Sequence, residues 1–440
     1  MSKRVRTYRR LLMAAAACAF VSAAPATAVA AKPKPKPAPK TKACAAAKKA
    51  KTKKKARQAR LACAAKKSAK KPSLRLAPLP KAGPPAATIS PAQSATPLPA
   101  APSATPAPPA PSDSSPETRS ADPGPVYWGA WIGSHLTGNE APWDTNAITA
   151  FERNAGKKVS LLHFSSPFGD CYQSPCSYYG FPQTEFTKLR TRGTIPFFSW
   201  ASNALPTTGD QSNYQLSDIL SGRHDAYITQ WATAAKNWGS PFFLRFNWEM
   251  NGNWFSWSEG RNGNTQGQYV AAWRHVHDIF TRVGATNATW VWCPNVDPDN
   301  MFQSLASLYP GAEYVDWTCL DGYNWNTPRR SFKDIFLPTY RQITETVAPG
   351  KPMVIGETGS TEAGGSKAAW ISDMFGSLAL DLPKVRAFMY FQKHDDGMDW
   401  PIETSAAATS AFASGIGSPR YTADTSRQPG GLTKVLPLAP

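Results

Sequence analysis

Beyond Pro125 the chain repeats one pattern: a short run rich in β-branched and aromatic residues, a turn, then a longer stretch with helical periodicity. Eight runs are present, VYWGAWIG, KVSLLHFSS, IPFFSWAS, PFFLRFNWEM, TWVWCPN, VDWTCLDGYNW, PMVIGETGS and VRAFMYFQK. Eight strands, each followed by a loop and most by a helix, predict an α/β fold of the closed (β/α)8 or TIM-barrel type rather than an open doubly wound sheet. The available span of about 300 residues suits one such unit. In the helix expected after the fourth run, Tyr269, Trp273, Val276, Phe280 and Val283 recur at three- and four-residue steps, and Gly284 is placed to end it. Tyr227, Trp231, Ala234 and Trp238 form a similar stripe one helix earlier, and both stripes are assigned to the core. The first run lacks the spaced glycines of a dinucleotide-binding turn, so no cofactor is indicated.

All 16 tryptophans lie from Trp128 onward, so nothing before that point can build a hydrophobic core. Residues 1–30 have a basic start, an apolar run and small residues near Ala28 and Ala30, the pattern of a secretory signal; Cys18 leaves a lipoprotein-type cleavage open. Residues 31–81 hold nineteen Lys or Arg and no acid, equal to the formal net charge of +19 for the whole chain, and are expected to stay unfolded. The high pI therefore describes a tail and not the barrel. That tail is suited either to an anionic cell-wall polymer, membrane surface or other polyanion through counterion release, or to service as a solubilising spacer. Residues 82–123, rich in Pro, Ala, Ser and Thr, read as a stiff linker. The barrel is assigned to 124–420 and a C-terminal tail to 421–440. The expected location is outside the cell, with the tail able to retain the protein at the surface.

An exported protein permits disulfides, and six cysteines besides Cys18 group by position into Cys44 with Cys63, Cys171 with Cys176, and Cys293 with Cys319. Their spacing is wrong for a zinc site and no histidine cluster accompanies them. His275 and His277 read as surface or packing histidines.

The chemistry-bearing residues sit at the expected carboxyl ends of strands, where loops build sites on a rigid rim. Glu249 ends the fourth run and Glu357 the seventh, so the two carboxylates face each other across the barrel mouth. Two such carboxyls about 5.5 Å apart are the apparatus of retaining glycoside cleavage. Glu249, flanked by Trp248 and Met250, suits the acid, and Glu357, between Gly356 and Thr358, suits the nucleophile with Tyr323 as a hydroxyl partner. Trp254, Trp257, Trp325 and Trp400 follow strand ends and are placed to stack on sugar rings, while Asn247 and Asn251 supply neutral hydrogen-bonding groups. Arg245 is either a site residue pairing with a carboxylate or a structural ion-pair partner inside the barrel. A rim of aromatics and amides with few cations speaks against a specific nucleic-acid partner.

The stretch LRFNWEMNGNWFSW resembles the acid/base signature of glycoside hydrolase family 26, a Glu-Met-Asn-Gly core followed by a tryptophan, here Glu249 to Gly252 and Trp254. VYWGAW, LDGYNW and VIGETGS extend the resemblance over nearly all of residues 125–400. It implies a clan A barrel cutting β-linked polysaccharide with retention, with Glu249 as acid/base, Glu357 as nucleophile and Tyr323 hydrogen-bonded to the nucleophile. β-1,4-mannan, attacked internally, is the first substrate it implies. The family's mannanases usually have histidine just before the acid/base, where this chain has Trp248; related branches take mixed-linkage β-glucan or β-1,3-xylan. Two other readings stay open: a non-catalytic carbohydrate-binding barrel tethered by the basic tail, and a surface adhesin in which the tail is the functional part.

Overall fold

The computed structural model describes residues 124–325, 329–363, 365–395, 397–423, 425 and 433–439. The expectations for residues 1–123, including the signal, the tail, the linker and the Cys44–Cys63 pair, lie outside the described residues.

Eight parallel strands form the barrel: β1 Val126–Ile132, β2 Leu161–Asp170, β3 Ile195–Leu205, β4 Phe242–Phe246, β5 Ala288–Trp292, β6 Trp317–Asn324, β7 Met353–Ser360 and β8 Val385–Gln392. Each pairs with its neighbour in sequence, β8 pairs with β1, and Gly129 and Ala130 of β1 pair with Leu161 and Leu162 of β2, which closes the cylinder. After the strands come α1 Thr145–Ala155, α2 Gln183–Thr191, α3 Asp225–Trp238, α4 Gln268–Val283, α5 Leu305–Leu308, α6 Phe332–Arg341, α7 Lys367–Leu380 and α8 Ala406–Ile416. The chain is thus a (β/α)8 barrel.

Side-chain alternation along the strands divides the interior from the helical ring. In β4, Phe242 and Phe246 pack outward against Trp231 and Trp273, while Phe243 points inward to Phe197 and Trp317. Arg245, two residues on from Phe243, shares its inward face and sits above Phe197. β6 repeats the arrangement: Trp317 meets Phe243 in the aromatic layer, whereas Cys319, Asp321 and Tyr323 follow at two-residue steps toward the mouth. The axis therefore has an aromatic floor and a polar upper layer.

The helical stripes pack against the strands. Tyr269, Trp273, Val276 and Phe280 are buried and Gly284 caps α4 in the left-handed conformation. In α3 the buried alanines are Ala232 and Ala235 instead of Ala234, and Trp238 is half-buried, because the helix is turned by about one residue relative to the simplest stripe. Trp231 stacks on Trp200 at 4.5 Å and on Phe198 at 5.7 Å, which ties α3 to β3. Two disulfides join Cys171 to Cys176 and Cys293 to Cys319, the pairings expected from their positions.

Trp231→Ala is expected to destabilise the barrel by about 3–5 kcal/mol, the cost of emptying a large buried aromatic site. Urea unfolding with an unchanged m-value is the measurement; a loss below about 1 kcal/mol would contradict the assigned packing.

Candidate active site

The loop that follows β4 begins with two residues in the left-handed region, Asn247 (φ 42°) and Glu249 (φ 51°). Such backbone is unfavourable for a residue with a side chain, by about 1–2 kcal/mol each, and persists only where its surroundings hold it. Here nearly every polar group is captured. Asn247 accepts from the Ser202 amide at 2.8 Å and donates to Ser202 Oγ at 2.7 Å; Tyr269 from α4 donates to its carbonyl and Trp257 to that of Trp248. The Glu249 amide donates to the Cys293 carbonyl at 2.7 Å. These bonds turn the Glu249 side chain into the mouth.

The Glu249 carboxylate accepts from Trp254 Nε1 and Asn295 Nδ2, each at 2.5 Å. Asn295 is in turn fixed by Asn251, which accepts from its amide and donates to its carbonyl. Gly252 allows the indole to reach back: a Cβ there would lie 2.0 Å from the Trp254 ring. The Glu-Met-Asn-Gly core is thus a folding unit in which Asn251 sets Asn295, and Gly252 leaves room for Trp254.

Glu357 is reached by a different device. The pairing of β6 with β7 shifts by one residue, so that Leu320 faces Ile355 but Asp321 faces Glu357, leaving Gly356 as the extra residue. A Cβ on Gly356 would fall 2.5 Å from Cys319 Sγ and 2.6 Å from Asp321 Oδ1, so only glycine fits. Glu357 Oε1 accepts from Arg245 Nη2, and Oε2 accepts from the Tyr323 hydroxyl at 2.5 Å. Arg245 is fully buried and also donates to Asp321 Oδ2 at 2.6 Å and Ser199 Oγ at 2.7 Å. Trp248 covers the guanidinium at 4.8 Å.

Charge in this layer is shared. Burial pushes the Asp321 carboxyl well above its ordinary range, opposed by Arg245 and reinforced by Glu357 and Glu249. Burial raises the Tyr323 hydroxyl well above its usual value, and the charges of Glu357, Asp321 and Glu249 add to it. Both glutamates therefore act on the same two groups. Burial and the Arg245 charge push His163 well below its usual value, which leaves a neutral imidazole. Its Nε2 lies 3.2 Å from Arg245 Nη2; because a guanidinium only donates, Nε2 accepts and the proton is assigned to Nδ1.

The aromatics separate into two groups. Trp254 touches Glu249, and Trp325 is half-buried beside Trp400 at 4.9 Å. Trp257 and Trp400 are only 1% and 2% exposed, so neither offers an open ring face: Trp257 stacks on Phe255 at 4.3 Å and Trp400 packs on Tyr323 at 5.0 Å. Asn247 and Asn251 are buried and spend their amides on the protein backbone and Ser202. Trp248 is 9% exposed and covers Arg245, whose contacts join both alternatives considered for it, a carboxylate partner in the mouth and a buried ion pair. Sequence reasoning missed Asp321, Asn295, His163 and Ser199. Asp321 and Asn295 carried a usable signal, a polar side chain at a strand's carboxyl end; His163 and Ser199 lie within apolar runs and carried none. Trp131 was missed too: it is the penultimate residue of β1, half-buried, 4.5 Å from His163 and 5.7 Å from Phe391.

The model of Glycosyl hydrolase family 26 matches residues 188–365, a stretch that includes both glutamates. Over this stretch the chain is similar to glycosyl hydrolase family 26. Among the chain's relatives, Endoglucanase H of Acetivibrio thermocellus is 33% identical over 300 residues, 66% of this chain and 30% of the relative. A mannan endo-1,4-beta-mannosidase of Bacillus subtilis is 29% identical over 225 residues, 50% of this chain and 51% of the relative. The chain thus spans about a third to a half of these curated relatives. The catalytic domain of a family 26 endo-beta-1,4-mannanase from Bacillus sp. JAMB-750 has the same fold, with a TM-score of 0.54 at 15% identity, covering 71% of this chain and 91% of that one.

Gly252→Ala is expected to displace Trp254 from Glu249, altering the near-ultraviolet circular dichroism and lowering stability by about 1–3 kcal/mol. A wild-type spectrum and melting temperature in this variant would contradict the close approach.

Proposed function

We propose that the barrel is a retaining hydrolase of β-linked polysaccharide in which Glu357 is the nucleophile and Glu249 the acid/base. The observation that carries this reading is the unequal dressing of two carboxylates at one mouth. Glu357 is paired with a guanidinium and a phenol, whereas Glu249 accepts from the neutral donors Trp254 and Asn295. An anion that attacks a sugar carbon benefits from fixed orientation, and Arg245 and Tyr323 each hold one of its oxygens. A group that must give and retake a proton needs partners that tolerate both forms, as neutral donors do.

In the first step Glu249 protonates the glycosidic oxygen while a Glu357 oxygen bonds to the anomeric carbon and the aglycone leaves. In the second, Glu249 takes a proton from water, which attacks the same carbon and releases Glu357. Tyr323 holds the carboxylate during attack and Arg245 neutralises it when it is released.

β-1,4-mannan is the first substrate, supported by the mannosidase relatives. Mixed-linkage β-glucan is the second reading, favoured by Trp248 in place of the histidine usual in mannanases and by the longer match to an endoglucanase. Export and surface retention rest on residues 1–81 of the sequence alone; among the described residues no helix is long and apolar enough to cross a membrane.

Glu249→Gln and Glu357→Gln are each expected to lower turnover by at least about a thousandfold while leaving the melting temperature within a few degrees. Reducing-end release from mannan, β-glucan and xylan is the assay, and undiminished turnover in Glu357→Gln would remove the covalent route. Early products followed by proton NMR should carry β-configured ends; α-configured ends would mean inversion and a wider carboxylate gap. Deleting residues 32–81 should leave turnover on soluble polysaccharide unchanged, whereas an adhesin would lose its main activity.

A further inference from the structure

Lys367 opens α7 near the barrel mouth, and its side chain is fully buried. Both desolvation and the aligned peptide dipoles at a helix N-terminus disfavour an ammonium there. Its surroundings offset that cost. Nζ donates to the carbonyl oxygens of Asp399, Trp400 (3.3 Å) and Pro401 (2.9 Å) and to Thr404 Oγ1 (2.8 Å). Three consecutive carbonyls aimed at one point hold the loop after β8 in a tight arc, and no apolar side chain of similar length could satisfy them. Tyr390 adds a fourth tie, its hydroxyl donating to the Trp400 carbonyl at 3.1 Å.

The residue at the centre of this arc is Trp400. Its ring packs on Tyr323 at 5.0 Å and on Trp325 at 4.9 Å, and a Cβ added at Gly359 would come within 3.3 Å of it. Tyr323 is the residue that donates to Glu357.

We propose that Lys367 is a positioning residue for hydrolysis: its ammonium gathers the 399–401 carbonyls, fixes the Trp400 ring and so holds Tyr323 against Glu357. The proposal rests on reading Glu357 as the nucleophile.

The clamp has a pH dependence of definite sign. Burial lowers Lys367 to about 8, opposed by the charges of Asp399, Glu362 and Glu403. Glu362 accepts from the Lys367 amide and from Ser405 Oγ; Glu403 is held by Gln392 and lies 3.7 Å from His135; Arg329 donates to the neighbouring Ser366 carbonyl. The folded value lies below the unfolded one of about 10.4. This group's contribution to stability therefore rises with pH between about 8 and 10.4, because the fold favours the neutral amine. Deprotonation removes one of three donors and all of the charge from the clamp. Activity should fall over the range in which this group's stability term improves, a divergence that a merely structural lysine would not produce.

The test compares wild type and Lys367→Met on the soluble polysaccharide that wild type cleaves best, between about pH 6 and 9.5. Wild type is expected to lose kcat/KM with a midpoint near about 8. The variant should be lower by roughly tenfold or more at neutral pH, chiefly in kcat, and lack that limb. A variant with wild-type kcat/KM and the same alkaline limb overturns the proposal. Should the variant not fold, the near-ultraviolet circular dichroism of wild type decides. A tryptophan band that changes near about pH 8 at constant far-ultraviolet signal supports the clamp, and a flat band overturns it. A wild-type protein that cleaves none of the polysaccharides overturns the reading of Glu357, and with it the catalytic half of the proposal; the band tests the clamp on its own.

Discussion

Arg245 is the group around which the barrel mouth is organised. A guanidinium with no exposed surface is tolerated only when its donors are met, and they are met by four strands: His163 from β2, Ser199 from β3, Asp321 from β6 and Glu357 from β7. Trp248 covers it from the loop above, and Phe197 lies below. The site is rigid because a cation of fixed planar geometry has been built into the axis of a cylinder. Removing a partner from such a buried pair costs about 3–5 kcal/mol, since the remaining charge is stranded. Any change in Asp321 or His163 therefore reaches Glu357 through Arg245.

On the opposite side of the mouth the organising constraint is backbone strain. The chain leaves β4 through a turn with two left-handed residues, Asn247 and Glu249, and the polar groups of residues 247–249 are taken up by Tyr269, Trp257, Ser202 and Cys293. Trp257 and Asn247 look like ligand-facing groups in the sequence because they crowd around Glu249. In space they are the fixings that let Glu249 adopt its conformation. Their aromatic and amide chemistry suits sugar binding and hydrogen-bond capture equally well, so residue type alone could not separate the two uses.

The same ambiguity explains what was legible and what was not. The eight strand runs, the alternation with helices and the placement of Glu249 and Glu357 at strand ends could be read directly, because hydrophobic periodicity and strand polarity are local properties. The Cys293–Cys319 pairing was legible from position on neighbouring strands. Asp321 was passed over because a lone aspartate inside LDGYNW resembles a turn residue until the strand that carries it is known to face Arg245. Asn295 reads as an ordinary loop amide until Asn251 is seen to orient it.

By itself the sequence determined the number of strands, the faces of the helices and the identity of the two carboxylates, since each follows from spacing along the chain. Tertiary structure alone decided how those carboxylates are held. The one-residue shift at Gly356 turns Glu357 toward Arg245, and the arc held by Lys367 places Trp400 against Tyr323. Both depend on atoms far apart in the chain competing for the same few ångströms, and exclusion and charge pairing at that range have no counterpart in linear order.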